Sequence, residues 1–417
     1  MKVSDYIVNY LKEKNVTDVF GYPGGMVTHL MDSLKKSTIN VRMMYHEQAL
    51  SFAACSYAQS SNKTAIAYAT SGPGATNLVT GIANAFFDSI PIVFITGQVN
   101  RNESNKDWHL RQRGFQETDI VSVVRPITKK AVYVDSPKKI KFYLDEAFFI
   151  ANDGRKGPVL LDIPMDVFKQ EIKEEELDSF VKPIDIVKAS DLKIDFSKYQ
   201  RPVLLLGAGT KYSCDIDSIR KAIDSLGIPV VTSMIAFDIL EKDNPLNFGF
   251  IGAYGHRTAN FIVAKADLII SIGSRMDIRQ VGFNRHSFAP KAHVVRIDVD
   301  SNELNNKLHD DDTIVETSAA LAMNCLLKSL NRNYDNWVET CYRIRSLLKG
   351  IDRKSIQEKY IEIINKKLSG TELISTDVGQ NQVWIAQYLN NKTKNRVFFS
   401  GGLGSMGYSL PASIGLS

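Results

Sequence analysis

The chain has 417 residues, 44% of them hydrophobic and 23% charged, enough to bury two or three cores. Its net charge of +5 is spread without basic blocks, which argues against a nucleic-acid partner and leaves anionic small molecules as substrates. Cys55, Cys214, Cys325 and Cys341 lack metal-ligand spacing, no apolar run reaches the length of a membrane span, and the N-terminus is amphipathic where a signal peptide would be apolar, so a reducing cytoplasm is expected. Val3, Tyr6, Ile7, Tyr10 and Leu11 then recur at helical spacing up to Asn15, and a short strand over 18–21 runs into Tyr22-Pro23-Gly24-Gly25. Glu47 sits between two apolar runs, where a carboxylate is costly unless it is paired or its proton is used.

Buried strands are predicted over 64–69, 91–96 and 158–163 with helices between them, the alternation of a parallel, doubly wound sheet. The acidic and lysine-bearing stretch 169–190 reads as a linker. A second α/β unit opens with an apolar strand entering Gly207-Ala208-Gly209, a turn found in many α/β domains, and continues through strands over 229–232, 268–272 and 294–298. Residues 331–368 read as a charged helical connector, with Trp337, Ile344 and Leu348 on one face, leading to strands over 373–375 and 396–399. The expected domains are 1–170, a linker 171–195, 196–330, a connector 331–368, and 369–417.

Six motifs together resemble the thiamine diphosphate enzymes, most closely the acetolactate synthase large subunits. They are GYPGG at 21–25, HEQA at 46–49, SGPGATNLVTGIANAFFDSIPIVFITGQV at 71–99, GFQETDIV at 114–121, DVGQNQVW at 377–384 and GGLGSMGYSLPASIG at 401–415. The resemblance implies an α/β protein of three doubly wound parallel-sheet domains: pyrimidine-binding, central Rossmann-like and diphosphate-binding, the third incomplete by Ser417. The implied reaction is decarboxylation of a pyruvate-like 2-oxo acid and ligation of the two-carbon unit to a second carbonyl, the chemistry of branched-chain amino acid biosynthesis. Implied partners are a second copy in a homodimer or homotetramer and a small regulatory subunit, with no nucleic acid and no membrane.

Residue by residue, the resemblance places Glu47 on the pyrimidine ring nitrogen, where it drives the tautomer that acts as base. Pro73 and Asn77 line the pyrimidine, Gly24 and Gly25 close over the reacting carbon, and Phe115 and catalytic Gln116 face the substrate. Gly404 and Met406 hold the cofactor bent, and Val378, Gly379, Gln380 and Asn381 meet the diphosphate, Asn381 standing where the synthases have His. Mg²⁺ is implied through a GDG motif and a following Asn that do not occur in residues 1–417, so its ligands are expected beyond Ser417 and the chain alone is expected to hold cofactor weakly. In the family the site lies between two protomers.

Two departures keep alternatives open. Arg111-Gln112-Arg113-Gly114 replaces the synthases' Gly-Thr-Asp-Ala, which suits a lyase or transferase acting on another anionic or sugar-derived substrate through Arg111 and Arg113, or a loop that uses them structurally. A flavin (FAD) is implied by Gly207, Ala208, Gly209, Arg275 and Asp298, whereas Ala253 and Tyr254 replace the Met-His pair usual beside it. Arg275 reads either as an anion clamp or as a loop ion pair. The missing metal motif also leaves a non-catalytic truncated homologue open.

Overall fold

Among the described residues, fourteen strands alternate with helices along the chain. The computed structural model describes every residue except 106, 107, 109, 184–191, 214, 215, 350–354 and 393. Two units emerge: Met1–Asp185 with Ser375–Val378 and Phe398–Ser417, and Ile186–Ile374 with Gly379–Val397.

In the first unit β1 (Asp18–Gly21), β2 (Asn40–Met43), β3 (Ala65–Ala69), β4 (Ile92–Gln98), β5 (Lys130–Tyr133) and β6 (Val159–Pro164) form one parallel sheet in the order β2-β1-β3-β4-β6-β5. The inner strands β3, β4 and β6 are buried along their whole length, which is why they read as continuous apolar runs. The connection from β1 runs to β2 on one side, and the one from β2 crosses back to β3 on the other side of β1. A crevice outside the strand ends is expected where they diverge.

The second unit repeats the plan with β7 (Pro202–Leu206), β8 (Val230–Thr232), β9 (Asn247–Phe250), β10 (Leu268–Ile272), β11 (His293–Asp298) and β12 (Thr313–Glu316), ordered β12-β11-β10-β7-β8-β9 and parallel throughout. Its switch point lies between β7 and β10. A helix, Asp335–Lys349, buries Trp337, whose Nε1 donates to the Pro202 carbonyl at 3.1 Å. The linker expectation for 171–195 meets one bridge, Lys2 to Glu171, and one 3-10 turn at Glu174–Glu176, while 184–191 lie outside the described residues.

A third sheet holds only β13 (Leu373–Ser375) and β14 (Arg396–Phe398). Two strands of three residues cannot bury a core of their own. By packing, residues 375–378 and 398–417 go with the first unit and 369–374 and 379–397 with the second. Among the described residues no helix is long and apolar enough to cross a membrane.

Candidate active site

In the first unit, the loops following β1, β2, β3 and β4 all leave the same edge of the parallel sheet. The loop after β2 ends in His46, whose Nδ1 accepts the Gln48 amide at 3.1 Å and so caps the helix Glu47–Ser61. Glu47 is the first residue of that helix and is 7% exposed. The side-chain amide of Asn77, from the turn after β3, donates to its Oε2 at 3.0 Å, and among the described residues Oε1 accepts no hydrogen bond. The glycine loop after β1 is tied to the same place, the Met26 amide donating to Thr70 Oγ1 at 3.2 Å.

The loop after β4 reaches this turn through Gln116. Both Gln116 (φ 63°) and Gly72 (φ 58°) are left-handed, and a Cβ at Gly72 would stand 2.9 Å from the Gln116 carbonyl oxygen. That close approach requires glycine. Phe115, beside it, is 79% exposed and packs on nothing that would make it a core residue. Glu117, which the motif contains but sequence reasoning gave no role, organises the loop: its carboxylate accepts the amides of Gly114 at 3.0 Å, Arg113 at 3.1 Å and Asn105 at 2.5 Å. Burial works to raise its proton affinity, but these donors outweigh it and hold the carboxyl below the ordinary range. The Arg113 guanidinium donates to the Ser104 carbonyl at 3.2 Å and lies 4.5 Å over the Trp108 ring. Both arginines are exposed, but Arg113 is engaged inside its own loop, whereas among the described residues Arg111 makes no such contact.

Residues Phe398–Ser417 pack on the same unit. Ser56 donates to the Ala412 carbonyl at 2.7 Å, and the Phe52 and Tyr408 rings meet edge-on at 5.4 Å, so the helix Ser409–Leu416 lies along the helix that Glu47 opens. Asp377, a second unassigned carboxylate, accepts the amides of Val378 at 2.9 Å, Gly407 at 3.0 Å and Ser409 at 3.1 Å. Burial again opposes and is outweighed by these donors, so this carboxyl too stays below its ordinary range. It thereby fixes the loop carrying Gly404 and exposed Met406, and Val378 is the nearest side chain to Gly404. Asp88 does the same for Gly401 and Gly402, at 3.0 and 2.7 Å. Carboxylates set among glycines are the sequence signal for such amide nests. In the second unit Gly379, with φ 80°, caps the helix Gln380–Tyr388 and leaves Gln380 and Asn381 exposed on its first turn.

The second switch point is closed. The Gly209 amide donates to the Gly273 carbonyl at 3.0 Å and the Gly207 amide to that of Ile272 at 2.9 Å, and a Cβ at Gly207 would stand 2.5 Å from the Ser274 Cα. Behind the turn Lys211 is buried in an ion pair with Asp238 and donates to the Ile235 carbonyl at 2.9 Å. Burial lowers the ammonium's proton affinity, against the pull of Asp238. Arg275 lies 3.7 Å from Asp277, the loop ion pair, and Asp298 accepts the amides of Val299 and Asp300 at 2.8 and 3.1 Å.

A doubly wound sheet that gathers a buried glutamate and several glycine-nested loops at its switch point defines a cofactor-dependent α/β enzyme. The chain belongs to the thiamine pyrophosphate enzymes: the family models for their N-terminal TPP binding domain, central domain and C-terminal TPP binding domain match residues 1–123, 195–325 and 377–417. It is 35% identical to the acetolactate synthase large subunit of Lactococcus lactis over 425 residues, 99% of this chain and 73% of that one. It is 34% identical over 442 residues to a probable acetolactate synthase large subunit of Methanocaldococcus jannaschii, and 32% identical over 425 residues to the acetolactate synthase isozyme 2 large subunit of Escherichia coli. Those two alignments cover all of this chain, with 73% and 75% of the relatives.

Proposed function

We propose that the chain decarboxylates a 2-oxo acid such as pyruvate with thiamine diphosphate and ligates the two-carbon unit to a second carbonyl, in the manner of an acetolactate synthase. The observation that carries the assignment of the site is the Glu47 carboxylate, one oxygen held by Asn77 and the other, among the described residues, without a donor, buried where the loops after β1, β2 and β3 meet. When bound, the cofactor supplies an acidic carbon that adds to the substrate's keto group and takes up the electrons left by departing CO₂.

Glu47 Oε1 would hold a proton shared with the pyrimidine ring, and Asn77 keeps the carboxylate facing it. Pro73 and the Gly24–Gly25 loop would line the ring and the reacting centre, with Phe115 and Gln116 toward substrate. Gly404 and Met406 would support the bent cofactor, and Val378, Gly379, Gln380 and Asn381 its diphosphate. No GDG motif stands in residues 1–417, so none of these residues supplies the family's Mg²⁺ ligands. The glycine turn of the second unit does not fit a flavin phosphate, because the Gly209 amide is bonded to Gly273 and Lys211 to Asp238. A cytoplasmic setting is supported by the free, buried thiols of Cys55 and Cys341, and a small companion subunit by the large-subunit names of the relatives. Assembly as a homodimer or homotetramer belongs to the same reading.

The test is incubation of the native protein with thiamine diphosphate, Mg²⁺ and pyruvate, following CO₂ and acetolactate. Release of both supports the reading. A protein that binds the cofactor yet forms neither product from pyruvate would overturn the substrate assignment.

A further inference from the structure

We propose that Asp162 is a positioning residue of this site, which through Gln98 fixes the Thr118 carbonyl and with it the left-handed turn at Gln116 that lies against Gly72. The inference rests on Gln116 facing substrate, as proposed above.

Asp162 lies in β6, a strand otherwise apolar at Leu160, Leu161 and Ile163, and it is 1% exposed. Among the described residues no cation pairs with it. Its Oδ1 accepts Thr96 Oγ1 at 2.7 Å and its Oδ2 accepts Gln98 Nε2 at 3.0 Å, both from the adjacent β4. Asp119 is the acidic group that faces it, and Tyr133 on β5 is its register partner on the other side. A carboxylate in that setting contributes less to stability than an apolar side chain of like volume, so stability does not explain it.

Orientation does. Gln98 Nε2 gives its second hydrogen to the Thr118 carbonyl at 2.8 Å, and Gln98 Oε1 accepts the Val99 amide at 3.0 Å. A flipped amide would lose the Thr118 and Val99 bonds, and its oxygen would be repelled by ionised Asp162 Oδ2. Ionised Asp162 therefore favours the one facing of Gln98 that holds Thr118. Gln116 then sits between two anchors, Glu117 on the upstream amides and Gln98 on Thr118. A non-glycine residue at φ 63° is strained and persists only where its surroundings over-determine it. These anchors supply that, and the contact with Gly72 passes the constraint to the turn that carries Asn77.

The experiment compares native protein with Gln98→Met, which cuts the link and leaves Asp162 its Thr96 bond, and with Asp162→Asn. Amide hydrogen exchange is read across residues 113–118 and across β4 and β6, beside pyruvate steady-state kinetics. Exchange in 113–118 should accelerate about tenfold in both variants while the strands keep native protection, and kcat/KM for pyruvate should fall about tenfold, mainly through KM. Native exchange in 113–118 for Gln98→Met overturns the proposal, as does acceleration spread evenly over the strands, the mark of a merely structural role. Because exchange needs no turnover, it decides Asp162 even if pyruvate proves not to be the substrate.

Discussion

Asn77 donates its side-chain amide to Glu47 Oε2 at 3.0 Å, joining the turn after β3 to the first residue of a helix thirty positions earlier in the chain. The bond does two things at once. It satisfies half of a buried carboxylate and it aims the other half, so that among the described residues Oε1 has no protein donor. Replacing Glu47 by Gln keeps the shape and the helix cap at His46 but removes the group that shares a proton. Turnover in the native assembly should fall by about two to four orders of magnitude with an unchanged circular dichroism spectrum. Turnover near the native rate would remove Glu47 from the mechanism.

Arg111 and Arg113 now separate. Arg113 spends its guanidinium on the Ser104 carbonyl and the Trp108 ring, so Arg113→Ala should loosen the loop and depress decarboxylation and ligation alike. Arg111 is exposed, so Arg111→Ala should raise the Michaelis constant for an anionic acceptor while decarboxylation stays within about twofold. Product partition measured with pyruvate alone and with a second 2-oxo acid checks both; equal losses from Arg111→Ala would give it a structural role as well.

Sequence reading reached the inner strands and missed the outer ones, two of them because they lie exposed to solvent. β3, β4, β7 and β10 are buried on both faces and read as unbroken apolar runs, whereas the four strands it did not find, β2, β5, β9 and β12, are the edges of the two sheets. Asn40–Met43 is exposed throughout and Thr313–Glu316 nearly so, and such segments carry no apolar signal to separate them from loops. Glu47 was legible because an acid in an apolar stretch is conspicuous. Glu117 and Asp377 were not, since their partners are backbone amides that converge only on folding, and Asp162, though it too stands in an apolar run, takes its meaning from Thr96 and Gln98 on a neighbouring strand.

Asp162 should also leave a mark on stability. Burial, with Asp119 adding to it, pushes its carboxyl up to about 7 against the opposing hydrogen bonds of Thr96 and Gln98. Below the unfolded value both states are protonated and the group contributes nothing. Between about 4 and 7 the unfolded chain ionises while the folded one holds its proton, so stability declines as pH rises and levels off above 7. The full effect is roughly 4 kcal/mol. Asp162→Asn, which cannot ionise, should therefore gain in melting temperature relative to native protein on going from pH 5 to pH 8. A native-minus-variant difference that is flat across that range would show that Asp162 does not titrate there.

The closed switch point of the second unit makes the last prediction. Lys211 and Asp238 are both buried, their side chains 7% and 0% exposed, and Asp238 Oδ2 also accepts the Val397 amide at 2.9 Å. Removing one charge strands the other: Lys211→Met leaves a buried carboxylate with a single backbone donor, and Asp238→Leu leaves a buried ammonium on the Ile235 carbonyl. Each single substitution should destabilise the second unit by about 3–5 kcal/mol, while the double substitution, apolar at both positions, should lose far less than their sum. The same pair stands behind the turn where a flavin phosphate would have to sit, and the Gly207 and Gly209 amides are committed to the last residue of β10 and the first after it. Native protein should accordingly be colourless and gain no thermal protection from added flavin, since a ligand raises the stability of the state it binds. A yellow preparation, or a melting temperature that climbs with flavin concentration, would mean that the turn opens and that the Lys211–Asp238 pair does not hold it shut.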